Sequence, residues 1–264
     1  MPSERGAAFV TGGGRGVGAG IARALAYDGW PVIVGARSRD QITAVANEIG
    51  GRAVEVDVSN RESVEQAFAE AGDVELLVAN AGIGNQDGST WDVDPDDWWR
   101  VLEVNVLGVH LCCRAVIPGM LERGSGNLVY IGSISGKVPA GGASVYSASK
   151  FGLRGFAFSL HEELRESGVG VTTVFPGFIR DAGLFADTGL KLPRGAGTRT
   201  PEQVADAVLT GIATNRPEIT VAALSQRVGG LLSGAAPRLV AAIVRASGGE
   251  RLADDLGDAQ RKKR

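Results

Sequence analysis

Thr11-Gly12-Gly13-Gly14-Arg15-Gly16-Val17-Gly18 puts five glycines into eight residues, between the apolar run Ala7 to Val10 and an apolar-periodic stretch from Ala19 to Tyr27. A short buried strand, a glycine-rich turn and a helix in direct succession admit few architectures. Glycine lets the backbone come close to a bulky anion, and the unpaired amides of a helix N-terminus then point at it. The flanking strand and helix are what separate this stretch from an ordinary glycine-rich turn. It reads as a phosphate cradle opening a βαβ unit.

The chain keeps up that alternation. Further strands are expected at Pro31 to Gly35, Arg52 to Val56, Val74 to Ala79, Asn127 to Gly132, Val169 to Phe175 and Glu218 to Ala222. Ser38-Arg39-Asp40-Gln41 and Ser59-Asn60-Arg61-Glu62 have the spacing of capping boxes, the second opening a helix to about Ala71. Asp94-Pro95 caps a long helix to Arg123, with proline at its favoured first position. Another helix is expected over Phe151 to Ser167, and Thr200-Pro201-Glu202-Gln203 starts one more. Strands alternating with helices at this spacing mean a parallel sheet with helices on both faces. A chain of 264 residues, 44% hydrophobic and without internal repeat or linker, fits one α/β domain over 1–264.

The second strand ends Gly35-Ala36-Arg37-Ser38. In dinucleotide-binding folds a carboxylate here would accept from a ribose 2′-hydroxyl and repel a 2′-phosphate. This chain has an arginine instead, and Arg15 in the glycine-rich turn can reach the same place. Two guanidinium groups around one site suit a phosphate, so NADP(H) is expected over NAD(H). Asp57-Val58 follows the third strand, where a side chain could bond adenine. After the fourth strand, Asn80-Ala81-Gly82 leaves room for a cofactor, and Asn80 can tie neighbouring strands together.

Chemistry is concentrated in Tyr146-Ser147-Ala148-Ser149-Lys150. A tyrosine and a lysine four apart share a helix face. Held close, an ammonium would pull the phenol's pKa of about 10 toward neutrality. Ser133, upstream at the end of an apolar run, could hydrogen-bond a substrate carbonyl. Asn105 lies in mid-helix, where asparagine is mildly unfavourable, and that mismatch invites a role for its side chain. On its own, Tyr-x-x-x-Lys describes many solvated helix faces; the surrounding motifs give it weight.

Several functions are disfavoured. A net charge of -3 and a pI near 5.5 leave no electrostatic footprint for nucleic acid, and Arg261 to Arg264 reads as a frayed end. Cys112 and Cys113 are adjacent in a helix and cannot form a normal bridge, which fits a reducing, cytoplasmic setting. The N-terminus lacks a signal peptide's apolar core, and no uninterrupted apolar run reaches membrane-spanning length. His110 and His161, the two histidines, suggest packing or surface roles, and no metal is expected.

Taken together, the motifs from Arg5 to Ala222 resemble those of the short-chain dehydrogenase/reductase family. Thr11-Gly12 with Gly16 and Gly18 is similar to its cofactor turn, and Asn80-Ala81-Gly82 to its sheet-stabilising motif. Asn105, Ser133, Tyr146 and Lys150 are similar to its catalytic tetrad, and Pro176-Gly177 to its nicotinamide-side motif. The resemblance implies a single Rossmann-type domain with a seven-stranded parallel sheet. It implies NADP(H) contacts from Gly12, Gly14, Arg15, Gly16, Val17, Gly18, Arg37, Asp57, Val58, Asn80, Ala81, Gly82, Tyr146, Lys150, Pro176, Gly177 and Ile179. It further implies a homodimer or homotetramer, with the helices bearing Asn105 and Tyr146 in a four-helix interface. In the implied mechanism Ser133 holds the carbonyl oxygen and Tyr146 protonates it. Lys150 lowers the tyrosine pKa and holds ribose hydroxyls, while Asn105 supports a water. One departure stands out: Asp181 occupies the place where many members carry a threonine that bonds the carboxamide.

Arg180 to Arg199 lacks clear periodicity, and 181–200 reads as a substrate lid. Phe178, Leu184, Phe185 and Leu190 would make it apolar, above an unobstructed wall of small residues, Ala140 to Ala143. A bulky or lipophilic carbonyl or secondary alcohol is the expected small-molecule substrate. The alternatives are a 3-oxoacyl thioester and a catalytically silent NADPH-binding sensor. Residues 224–264 read as a helical extension. Leu224, Val228, Leu231, Leu232, Leu239, Val240, Ile243 and Val244 recur at helical spacing, with Pro237 separating two short helices. They either pack on the core or a neighbouring subunit, or form an apolar surface at the substrate entrance or against lipid, a weak membrane-surface contact.

Overall fold

Runs of buried apolar residues become the strands of one sheet in a computed structural model that describes residues 5–84, 90–139, 141–180 and 197–246. The strands are β1 (Ala7–Thr11), β2 (Val32–Ala36), β3 (Arg52–Glu55), β4 (Val74–Ala79), β5 (Gly126–Ile131), β6 (Val169–Pro176) and β7 (Glu218–Val221). They lie in the order β3-β2-β1-β4-β5-β6-β7, every pairing parallel. Phe9 stands opposite Ile33 on one side and Leu77 on the other, and Val129 lies between Val78 and Thr172. The strand order reverses between β1 and β4, which opens a crevice at the C-terminal ends of the strands.

Side chains alternate between two cores, as a strand's period of two requires. Phe9, Ile33, Leu77, Leu128 and Tyr130 face one side; Ala8, Val10, Leu76, Val78 and Val129 face the other. The first core is closed by α3 (Arg61–Ala71), α5 (Gly108–Arg123) and α6 (Ser144–Glu163). The second is closed by α1 (Gly16–Tyr27), α2 (Arg39–Ile49) and α7 (Pro201–Thr214). A register slip of one residue would exchange the two faces of a strand, so both cores pin the register.

Helix starts show which local signals the fold uses. At α7 both halves of the capping box form, Thr200 Oγ1 accepting from Gln203 N at 3.3 Å and Gln203 Oε1 from Thr200 N at 3.1 Å. The box expected at Ser38 does not form; its side chain makes no capping bond. At α3 the cap is Asn60, whose Oδ1 accepts from Ser63 N at 3.0 Å. Ser59 donates instead to Asp57 Oδ1 at 2.7 Å, since a nearby carboxylate is the stronger acceptor. Helix α6 begins seven residues before the expected Phe151, which places Tyr146 in its first turn.

The long helix expected over Pro95 to Arg123 is interrupted. It consists of α4 (Pro95–Leu102), a π turn at Glu103–Leu107, and α5. Asp94 caps α4, accepting from Asp96 N at 2.8 Å. By length and mean composition the whole stretch could cross a membrane, but Asn105, His110 and Arg114 interrupt its apolar run. It packs one side on the sheet through Val109, Cys112, Cys113, Val116 and Met120. Both thiols are unpaired and buried; burial pushes Cys113 up to about 12, so they stay protonated and inert. His161 packs with its Nδ1 at 3.0 Å from Val171 O, and His110 sits edge-on to Phe156. Among the described residues no cluster could hold a metal. After β7 come α8 (Leu224–Leu232) and α9 (Pro237–Ala246), two short helices with Pro237 opening the second. Ala140, most of the expected lid (Asp181, Leu184, Phe185 and Leu190 among it), and Arg261 to Arg264 lie outside the described residues.

Candidate active site

The turn after β1 is shaped by contacts that exclude side chains. Gly12 and Gly16 have φ of +63° and +60°, the left-handed region that favours glycine. At Gly18 a Cβ would overlap Gly12 O and stand 2.5 Å from Asn80 Nδ2. At Gly14 it would meet Gln41 Cβ at 3.0 Å, while Val17 packs into the second core. Arg15, at the N-cap of α1, makes no side-chain capping bond, and the first turn holds no acidic residue. Uncapped amides without a competing carboxylate, behind a cradle that a Cβ would fill, fit a pyrophosphate.

Asn80 joins this turn to β4. Its Nδ2 donates to Thr11 O at 3.0 Å and Gly12 O at 3.2 Å. Thr11 Oγ1 in turn accepts from Asn80 N and Ala81 N at 3.0 and 3.1 Å. The strap expected of Asn80 is present, and Thr11 is its other half. Gly82 lies close under two of the expected catalytic residues, since a Cβ there would lie 3.2 Å from Asn105 Oδ1 and 3.5 Å from Lys150 Nζ.

At the far end of the crevice Arg15 and Arg37 are both exposed, and β2 ends in Gly35-Ala36 without a carboxylate. Asp57 accepts from Ser59 N at 3.0 Å. Partial burial pushes its carboxyl up, but the Ser59 bonds, with Arg37 and Arg100 nearby, outweigh that and hold it below the usual range. Arg100, on α4, is a neighbour that spacing gave no reason to suspect. Val58 is buried beneath Gly108, where any Cβ would come within 2.8 Å of the Val58 carbonyl oxygen.

The four residues expected to be catalytic converge. Ser133 directly follows β5, and its Oγ accepts from Ser135 N at 3.1 Å. It is also the neighbour that pulls the Tyr146 phenol down. Lys150 is buried, with Nζ 3.1 Å from Ile131 O and 5.7 Å from the centre of the Tyr146 ring. Burial pulls Lys150 down to about 8. Burial likewise pushes the Tyr146 phenol up, and the opposing downward pull comes from Ser133. In the protein alone burial dominates at both groups, raising the phenol and weakening the ammonium beside it. Asn105 sits in the π turn, fully buried. Its Oδ1 accepts from Ile83 N at 2.9 Å, and its Nδ2 donates to Ile83 O at 2.8 Å and Ser149 Oγ at 3.0 Å. The side chain clamps the segment after β4 to the helix of Tyr146 and Lys150.

On the other flank, Gly177 N donates to Val221 O at 2.9 Å, and a Cβ at Gly177 would run into Gln226 Oε1. Ile179 is buried and bridges Arg199. Arg199 N donates to Phe178 O at 2.8 Å and Arg180 N to Arg199 O at 2.9 Å, which pins together the two ends of the expected lid.

Sequence reasoning missed a second clamp. Lys137, four residues past Ser133, reaches β7, its Nζ 2.8 Å from Glu218 Oε2 and 3.0 Å from Thr220 Oγ1. Arg154 of α6 grips the same carboxylate at 2.5 and 3.1 Å. Glu218 therefore binds the Ser133 turn and the Tyr146 helix to one strand. The available signal was a carboxylate opening an apolar strand.

A protein-family model described as short chain dehydrogenase matches residues 6–190. The ketoacyl reductase HetN of Nostoc sp. is 35% identical over 222 residues, covering 81% of this chain and 77% of the relative. Among solved structures, a 3-ketoacyl-(acyl-carrier-protein) reductase from Brucella melitensis complexed with NADH has a TM-score of 0.75 at 26% identity, covering 83% of this chain and 97% of that one. A metagenomic short-chain oxidoreductase in complex with NADP has a TM-score of 0.69 at 32% identity, covering 82% and 96%.

Proposed function

The chain belongs to the short-chain dehydrogenase family, and from that membership we propose an NADP(H)-dependent oxidoreductase that interconverts a carbonyl and a secondary alcohol on a bulky or lipophilic substrate. The observation that carries this reading is the meeting of Ser133, Tyr146 and Lys150 beside the glycine cradle, with Gly82 close to Lys150. The crevice would hold a nicotinamide dinucleotide, whose chemistry there would be hydride exchange with the substrate carbon.

The chain's own groups do the rest. The turn from Gly12 to Gly18 and the amides of α1 would hold the pyrophosphate. Asp57 and Val58 would flank the adenine, and Arg15 and Arg37 would hold a 2′-phosphate. Pro176, Gly177 and Ile179 would line the nicotinamide side. Ser133 donates a hydrogen bond to the substrate oxygen, and Tyr146 gives that oxygen a proton in reduction or removes one in oxidation. Lys150, anchored on Ile131 O, places positive charge beside the phenol. Asn105 acts as a positioning residue through Ile83 and Ser149. Relatives are found with both NADH and NADP, so the NADP(H) preference rests on the two arginines and the missing carboxylate. The unpaired buried thiols support a cytoplasmic setting.

The test is oxidation of NADPH and NADH by the purified protein against ketones, aldehydes, quinones and 3-oxoacyl thioesters. Turnover with NADPH, reduced about 10²- to 10⁴-fold in Tyr146→Phe with cofactor binding retained, is expected. Tight NADPH binding with no turnover on any substrate would favour the silent sensor. A clear preference for NADH would overturn the arginine assignment. The ketoacyl-reductase relatives favour a second reading, a 3-oxoacyl-thioester reductase, and selective turnover of acyl-pantetheine substrates would establish it.

A further inference from the structure

Helix α8 is built inside out. A surface helix ordinarily turns its apolar stripe to the core and its polar face to water. Here the side against the protein carries Gly229 and Gly230, the latter close to Ile134 and Lys137, together with Gln226 beside Gly177. The side away from it carries Leu224, Val228, Leu231 and Leu232, at helical spacing, with Leu224 73% and Leu231 82% exposed. No residue of α8 is buried. Helix α9 turns Val240 inward and continues the apolar surface with Leu239 and Ile243.

Within α8 and α9 the charges have one sign. Residues 224–246 contain Arg227, Arg238 and Arg245 and no aspartate or glutamate, within a chain whose net charge is -3. All three arginines are exposed. A second copy docking here would set arginine against arginine, whereas an anionic bilayer satisfies both the leucines and the guanidinium groups. We propose that α8 and α9 form an amphipathic surface that docks the protein on membranes containing anionic lipid. Because α8 rests on the turn after Ser133 and on Gly177, docking sets the mouth of the site against the bilayer. Only that consequence, access for a lipophilic substrate, rests on the proposed function.

The test is flotation of the full chain with phosphatidylcholine vesicles, with and without phosphatidylglycerol, alongside light scattering for oligomeric state. Recovery that requires phosphatidylglycerol, weakens with salt and falls on the order of tenfold in a Leu231→Asp/Ile243→Asp variant is expected, with a smaller fall in Arg238→Glu. NADPH turnover on a water-soluble substrate should be unchanged in these variants, which separates failure of docking from failure of the catalytic reading. Absence of vesicle binding, or equal binding to both vesicle types, would overturn the proposal. So would a change of oligomeric state in the double variant without loss of vesicle binding, which would assign the surface to a second copy.

Discussion

Lys150 is the residue whose ionisation folding changes most usefully. Its pKa falls from 10.5 to about 8 because the ammonium is buried. Between those values the unfolded chain holds a proton that the folded chain has released, so this group adds stability as pH rises from about 8 to 10.5. Tyr146 acts in the opposite sense above pH 10, since its own pKa is raised by burial. The Lys150 contribution is therefore read as a difference: urea unfolding of Lys150→Met against the wild type should shift in the wild type's favour across that window. A difference independent of pH would show that the lysine is solvated. Gly18 makes a second prediction at this scale. Gly18→Ala forces a methyl against Gly12 O and Asn80 Nδ2, costing about 1–3 kcal/mol and opening the turn. A lower melting temperature together with a weaker NADPH fluorescence titration is the expected outcome.

Glu218 shows how elements, rather than residues, hold the site. Partial burial raises its carboxyl, but the Arg154 and Lys137 bonds outweigh that and keep it lowered. That stability is present above its unfolded value of 4.5 and is lost as pH falls through the folded one. Glu218→Gln leaves the Lys137 ammonium, its side chain only 11% exposed, with the Thr220 hydroxyl and the face of Phe175 but no carboxylate. A loss of about 1–3 kcal/mol is expected at pH 7, closing at acid pH, and measured by unfolding at both pH values. This clamp was not legible in the sequence because its members come from three separate segments. The strands were legible because apolar runs need no partner to be recognised, and the α7 cap because both its groups lie within four residues. The Ser59 box failed for a local reason, capture of the hydroxyl by Asp57. Asn105 was legible as an anomaly, but Ile83 and Ser149, the groups that explain it, are brought to it only by the fold.

The whole molecule leaves a second apolar surface, apart from α8 and α9. The stretch from Pro95 to Arg123 buries one side on the sheet, while Trp99, Leu107 and Leu121 remain exposed. Helix α6 lies alongside it, with Gly152 near Val106, and exposes Phe151 and Phe158, seven residues apart on one face. Part of the apolar length on these helices is thus core, 39% of its most apolar window being buried, and the rest suits a second copy of the chain. In a twofold assembly each substitution acts twice. At about 25 cal/mol per Å² of apolar area, burying the exposed half of Phe158 is worth about 1 kcal/mol, so two of them amount to a factor of about 30 in dimer dissociation. Light scattering should show a dimer or tetramer for the wild type and a shift toward monomer for Phe158→Glu. Vesicle flotation should be retained in that variant, because its charge falls on α6 and leaves the arginines and leucines of α8 and α9 in place. A Phe158→Glu protein that keeps its assembly would mean that this face is not where copies meet.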